Sequence, residues 1–495
     1  MSPSVSIAAP HGVFPRWLTP SLVELFFVAI FLAAFARPAG LEALLFDGDT
    51  GWHIRTGDLV LATGHAPRVD GFSFTRAGQP WFAWEWGSDV LFALLNGWRG
   101  TAAVAAFAGV VLSLAAAAML ARLLGRGDGL WIALAATLAA VSASSVHYLA
   151  RPHIFSILFY TLSLWILERD RRAPGRPVWL LVPLAAVWAN LHAAFVILPA
   201  TLLLAAACGR WRRCLPLALA SAGATLINPY GWRLHQHVWQ YLNAPWILDN
   251  VQEFQSPNIR SEGMVVFAVL LLGAVAVALR ADRFDAALVL IWGFAALRSA
   301  RHVPFFAVAA APVLAGECAS AWRRLAARAE RRSPGRILWE LSQDLGRLRH
   351  AGVWLPLLAG AALLIPSGAA AGFPASRFPV RAVESNQFLL APAGAMPRVL
   401  TSDQWADYLI FRLYPRQRVF FDGRSDFYGA GVGGDYRRLL NAEGDWRPLL
   451  DRYGFDLALL PADWPLSTFL GREPGWSEVY RDSVAVLYAR AGGRP

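Results

Sequence analysis

The chain has 495 residues, of which 56% are hydrophobic and only 16% charged, with 22 tryptophans and a mean hydropathy of +0.41. Soluble domains carry about 25% charged residues. This composition therefore excludes a disordered chain, a coiled coil, a collagen and an ordinary water-soluble enzyme, and it points to a polytopic membrane protein. The formal charge is +11 and all 45 basic residues are Arg; such a balance suggests nucleic acid in a soluble protein, but here the excess Arg falls in loops at a membrane face, and no nucleic-acid partner is expected.

Met1 to Pro20 lacks a basic region followed by a small-residue cleavage site, so the first apolar run reads as a retained span. Apolar runs predict eleven spans, near 20–37, 101–121, 130–146, 153–167, 178–191, 193–208, 214–228, 263–279, 285–299, 302–319 and 351–371. The Arg-rich connections 122–126, 168–176, 210–213, 280–283 and 320–350 then all fall on one side, which the positive-inside rule makes the cytoplasm. Cys208, Cys214 and Cys318 sit at that end, where thiols stay reduced. The N-terminus is expected in the cytoplasm and everything after residue 372 outside it.

Residues 1–372 thus read as a multi-span transmembrane domain with a long first outer loop, 38–100, and residues 373–495 as a soluble extracytoplasmic α/β domain. In the latter, Arg398–Ser402, Arg418–Asp422 and Phe455–Pro461 read as strands, Gln404–Tyr414 and Trp446–Tyr453 as helices, and Glu478–Arg481 with Val484–Arg490 as a closing hairpin. The Arg-rich segment 321–350 reads as a helix lying on the anionic inner surface.

The candidate chemistry lies in the outer segments. Asp47 and Asp49, one residue apart and followed by Trp52 and His53, suit oxygen ligation of a divalent cation such as Mg or Mn. They equally suit a general base beside a second acid that tunes its pKa. An Asp-Gly turn leaving a helix accounts for the same residues without function. Arg55 follows in the same loop, and Trp81 to Trp86 place three tryptophans around Glu85, which fits either an interfacial helix or a sugar-stacking wall. Arg151 and His153, His192, Asn228 to Trp232, and Arg298, Arg301 and His302 stand at other outer span ends. Singly, each is an ordinary snorkelling or capping residue. Together, Arg and His around carboxylates suit a lipid-linked phosphate, since Arg binds phosphate bidentately. Asp422 and Arg424 follow a predicted strand in the soluble domain, as acceptor-binding residues or as a local ion pair. The chain has no His-Glu-x-x-His, no Cys-x-x-Cys pair, no Lys for a phosphate loop and no Gly-x-Ser-x-Gly.

A first span leading to an acidic D-x-D motif in a long outer loop, many further spans and a soluble C-terminal domain resembles the GT-C superfamily of membrane glycosyltransferases. Asp47 to Gly57, Pro67 to Thr75, Trp84-Glu85-Trp86, Arg151-Pro152-His153, Asn228 to Arg233, Arg301 to Pro304 and Phe421 to Tyr428 resemble a poorly characterised bacterial branch of it. The resemblance implies an enzyme of the bacterial inner membrane. Such an enzyme moves a sugar from a polyprenyl-phosphate donor to a lipid, glycan or protein acceptor on the outer face, with Asp47 and Asp49 at the positions that activate the acceptor or bind a metal. Some members need a divalent cation and others do not. Gly48 stands where relatives often have Pro and Trp84 where they often have His, which loosens the turn between the acids and removes an acid role from position 84. With no covalent nucleophile evident, an inverting displacement is expected. A transporter or flippase would instead place ionisable groups deep in the spans, and a non-catalytic envelope assembly factor would not converge the outer residues on one cavity.

Overall fold

The computed structural model describes residues 16–36, 39–349, 352–364, 372–385 and 396–492. Most of the N-terminal stretch read as uncleaved, and the end of the last apolar run, 365–371, lie outside these residues.

In chain order the helices are α1 (Leu22–Phe35), α2 (Asp49–Thr63), α3 (Trp86–Arg99), α4 (Thr101–Arg126), α5 (Leu130–Ser144), α6 (His153–Arg172), α7 (Leu181–Leu191), α8 (Ile197–Ala205) and α9 (Trp211–Ala224). There follow α10 (Trp232–Leu242), α11 (Pro245–Asn250), α12 (Glu262–Ala278), α13 (Arg283–Arg298), α14 (Val303–Arg328), α15 (Pro334–Gly346) and α16 (Trp354–Leu364). The C-terminal part holds α17 (Val380–Ser385), α18 (Asp403–Leu413), α19 (Ser425–Leu440), α20 (Arg447–Tyr453) and α21 (Pro465–Leu470).

The protein is a multi-pass membrane protein. The runs Thr101–Arg126, Leu130–His147, Ala193–Ala224 and Ala300–Arg328 are long and apolar enough to cross a bilayer. Shorter apolar helices, Leu22–Ala34, Arg176–Leu191, Gly263–Ala278 and Trp354–Leu364, flank them. Of the long runs, Ala193–Ala224 is not one straight helix: Cys208 and Gly209 (φ +105°) break it, and α9 folds back against α8, as the two separate predicted spans require. Entry to α1 is fixed by a capping box, in which Ser21 Oγ accepts the Glu24 N–H (3.2 Å) and Glu24 Oε2 accepts the Ser21 N–H (2.7 Å). Leu272, Leu279 and Phe294 stay exposed on the helix bundle, a surface that lipid rather than water covers. The amphipathic α15 packs on α14 and α5 at the Arg-rich end, leaving Ile337, Leu338 and Leu341 exposed.

The segment read as the long first outer loop, 38–100, contains regular structure. It holds α2 and α3, which pack side by side, with α3 also packed on α4 and α7. Their approach is so close that a Cβ on Gly57 would stand 2.0 Å from the Asp89 carbonyl oxygen. Trp81 to Trp84 form no interfacial helix; they run irregularly into α3, with Trp81 buried against Trp52 and Phe72.

The C-terminal part carries a four-stranded sheet of β1 (Val399–Leu400), β2 (Leu457–Pro461), β3 (Trp476–Arg481) and β4 (Ala485–Arg490), in the order β1-β2-β4-β3. β1 and β2 run parallel, while β2–β4 and β3–β4 are antiparallel, with Leu459 opposite Leu487. The predicted strand at 418–422 reduces to isolated bridges of Val419 to Ser73 and Val399. The core beneath α18 mixes both parts of the chain: Trp52, Phe72 and Trp81 of the first outer segment pack with Phe378, Trp405, Leu409 and Leu487.

Candidate functional site

A cavity of about 180 Å³ opens where the helix bundle meets α2, α10 and the C-terminal domain. Asp49 reaches it from the first turn of α2, where the helix dipole favours an anion. Asp47 fixes that start, since its Oδ1 accepts the Asp49 N–H (2.9 Å). Two tertiary bonds hold the turn: Gly48 N–H donates to Gln404 Oε1 (2.7 Å), and Thr50 Oγ1 donates to the Ala150 carbonyl (2.9 Å). The second brings Arg151 to the aspartates. Its Nη1 meets Asp47 Oδ2 at 3.0 Å and Glu253 Oε1 at 2.5 Å, and its Nη2 meets Asp49 Oδ2 at 2.6 Å.

The electrostatics follow from this crowding. Burial pushes the Asp49 carboxyl up to about 7 against the pull of Arg151, with Asp47 adding to the rise. Burial acts on Glu253 too, but Arg151 and Arg301 outweigh it and hold that carboxyl well below its usual range. The Arg151 guanidinium is held charged because its carboxylates outweigh the cost of burial.

Behind Asp49 runs a buried polar chain. His53, one turn on, places Nδ1 2.6 Å from Asp89 Oδ1 and Nε2 3.6 Å from Glu85 Oε2. Glu85 Oε1 lies 3.4 Å from His192 Nε2. His192 Nδ1 accepts the Ala194 N–H (3.2 Å), so the ring proton sits on Nε2 and faces Glu85. Ser156 Oγ joins the chain 2.7 Å from His192 Nδ1. Burial drives the Glu85 carboxyl up to about 8 and Asp89 well above its ordinary value. Burial, with Arg151, keeps His53 neutral.

The C-terminal domain supplies the facing wall. Arg424 donates to Asp422 through Nε (2.8 Å) and Nη2 (2.6 Å), and Nη2 also meets Asp70 Oδ1 of the first outer segment at 2.8 Å. Its guanidinium stacks over Trp81 at 4.5 Å, and its Nη1, buried at the cavity edge, has no hydrogen-bond partner. Gly423 N–H donates to Asp407 Oδ1 (3.1 Å). On either side of Gly423, Asp49 Oδ1 and Asp407 Oδ2 are buried, and a Cβ at that glycine would stand 2.0 Å and 2.7 Å from them. Burial and Asp49 raise the Asp407 carboxyl well above its ordinary value, and it hydrogen-bonds to the Asp49 carboxyl.

Of the residues singled out in the sequence, Asp49, Glu85, Arg151, His153, His192, Arg301, His302 and Arg424 line this cavity. Arg301 packs 4.3 Å over Phe254 and donates to the Tyr241 hydroxyl (3.2 Å). Asp47 stands behind Arg151, His53 behind Asp49 and Asp422 behind Arg424. Two lie elsewhere. Arg55 is half-buried against α18, bonded to the Phe411 carbonyl (2.8 Å) and Asp58 (2.9 Å), and Arg298 is exposed at the end of α13. Sequence reasoning missed Asp89, Glu253 and Asp407. Asp89 alone left a trace, four residues after Glu85 on one helix face. As for a metal, the space among Asp47, Asp49 and Glu253 is filled by the Arg151 guanidinium, and among the described residues no three His, Cys, Asp or Glu side chains converge as ligands.

No protein-family model matches the chain, and no curated protein does. Among solved structures, it is similar to the archaeal oligosaccharyltransferase AglB from Archaeoglobus fulgidus, solved with an inhibitory peptide and a dolichol-phosphate, with a TM-score of 0.52, 11% identity, and coverage of 94% of this chain and 74% of that one. ArnT from Cupriavidus metallidurans aligns over 94% of this chain and 97% of its own, at 14% identity and TM-score 0.46 in the apo state, and at 15% and 0.41 with undecaprenyl phosphate bound. The likeness to AglB is one of fold, and it runs through both the membrane bundle and the C-terminal domain: the chain is a multi-pass membrane protein with the GT-C fold.

Proposed function

We propose that the protein is a membrane glycosyltransferase that moves a sugar from a polyprenyl-phosphate donor to an acceptor at the outer mouth of the bundle. The observation that carries this reading is Asp49. It is a buried carboxylate at the edge of a cavity between the helix bundle and the C-terminal domain, with one oxygen held by Arg151 and the other turned toward Gly423 and the Asp407 carboxyl. AglB, which shares the fold, was solved with a dolichol-phosphate, a carrier of the class proposed here.

In this reading the polyprenyl tail lies along the bundle, and Arg301 and the unpartnered Nη1 of Arg424 bind the phosphate. The acceptor oxygen attacks the anomeric carbon as the bond from that carbon to the phosphate oxygen breaks. The acceptor proton passes to Asp49 Oδ1 and the phosphate leaves on its lipid. One displacement inverts the anomeric centre. A carboxyl near 7 is matched to taking a proton at neutral pH, whereas Glu85, neutral up to about 8, acts as a hydrogen-bond donor to sugar or phosphate. The orientation that fits is a bacterial inner membrane with the Arg-rich end in the cytoplasm and the C-terminal domain outside.

The experiment is lipid extraction from a deletion strain, with mass spectrometry for polyprenyl-linked sugars. Accumulation that the wild-type chain reverses and a membrane-inserted Asp49→Asn chain does not is expected. An unchanged lipid-linked sugar pool rejects the reading.

A further inference from the structure

We propose that the Arg151 guanidinium occupies the place a divalent cation would take among Asp47, Asp49 and Glu253, so that this site works on a built-in cation and binds no metal. The inference deepens the reading of this cluster as a transfer site and rests on it.

Three carboxylates come from three parts of the chain: Asp47 from the turn before α2, Asp49 from its first residue and Glu253 from the segment after α11. Brought together in a buried wall, they repel one another and need a cation between them. A hard divalent ion would draw oxygens to about 2.0–2.6 Å around one point. Here the oxygens are instead spread over a planar fork, two on Nη1 and one on Nη2. Arg is suited to this because it never releases its proton and its donors lie in fixed directions.

Nor is Arg151 a side chain swung in by chance. Its backbone follows Ala150, whose N–H donates to the Leu44 carbonyl (2.7 Å) and whose carbonyl accepts Thr50 Oγ1. The segments 44–50 and 150–151 are thus stitched together, and the guanidinium is delivered by backbone geometry. The other titratable groups around Glu253, among them Arg301, His147, His153, His192 and Tyr241, add no carboxylate to complete a metal shell. The clamp also has a directional result: Asp49 Oδ2 is engaged on Arg151 while Oδ1 turns toward Gly423 and the Asp407 carboxyl. A metal bound through both oxygens would remove that arrangement.

The test is a Mn²⁺ titration of the purified full chain in detergent, followed by electron paramagnetic resonance. Wild type is expected to show no Mn²⁺ site that Asp49→Asn removes. Arg151→Gln, which deletes the charge and keeps a similar volume, is expected to gain a site about tenfold or more tighter than anything in wild type. One Mn²⁺ per wild-type chain, lost in Asp49→Asn, overturns the proposal, as does a folded Arg151→Gln that gains none. Should Arg151→Gln fail to fold, the wild-type and Asp49→Asn pair decides alone. Since binding is read without turnover, a chain that behaves as expected here yet moves no sugar rejects the proposed function and leaves the clamp standing.

Discussion

Each end of the helix bundle buries a set of arginines, and the two sets are built to opposite ends. At the Arg-rich end, Arg122 Nε lies 2.8 Å from Glu168 Oε2, Arg172 reaches the other Glu168 oxygen at 2.8 Å, Arg126 pairs with Asp128 at 3.0 Å, and Arg171 with Asp285 at 2.7 Å. The void among them is about 10 Å³, room for one water at most. At the aspartate end the charges are also paired, but they border a space of about 180 Å³. Matched charge with no room beside it holds helices together; matched charge around an open cavity leaves room for a ligand.

The comparison can be broken from either side. Asp49→Asn should cost about 10⁴-fold in transfer rate in a reconstituted assay, the upper range for a positioned general base, with the thermal midpoint little changed. Glu168→Gln should do the reverse. It strands Arg122 in a buried site and costs about 3–5 kcal/mol, read as a lower midpoint in detergent, while transfer per folded molecule stays at the wild-type value. Gly423→Ala should cost about 10²-fold in transfer, because its Cβ would overlap Asp49 Oδ1 and displace the base; unchanged transfer would show that the C-terminal domain does not position Asp49.

Two smaller effects sharpen the same contrast. Asp49 must be ionised to accept a proton, so kcat/KM should fall about tenfold for each pH unit below about 7. Glu85 adds a stability signature. Its folded carboxyl is raised from 4.5 to about 8, so the stability it lends is full below 4.5 and is lost as pH rises through about 8. Glu85→Gln should therefore flatten the fall in thermal midpoint across that window.

The spans were legible because lipid imposes a long apolar run on each, and even the break between 193–208 and 214–228 was written in Cys208-Gly209-Arg210. The C-terminal hairpin was legible from alternation. What escaped is instructive. α2 and α3 were read as loop because their buried positions mix Asp49, Thr50, His53, Thr56, Ser88 and Asp89 with Trp52, Ile54, Val60, Phe92 and Ala93, so no continuous apolar run marks a span. α19 was missed because Gly429, Gly431, Gly433 and Gly434 read as a turn cluster. Most of the individual wall residues could be guessed from their positions at span ends. Glu253 and Asp407 could not, since a single acid in a mixed segment looks like surface; what gives Glu253 its place is Arg151, and what gives Asp407 its place is Gly423 and Asp49.

The shared core of Trp52, Phe72 and Trp81 with Trp405, Leu409 and Leu487 has a consequence for how this architecture can change. The C-terminal portion is no detachable accessory. Exchanging it for the counterpart of a distant homologue would import a stranger to the Gly48–Gln404 bond and to the Asp70–Arg424 bridge, so a chimera should need its first outer segment transplanted along with it.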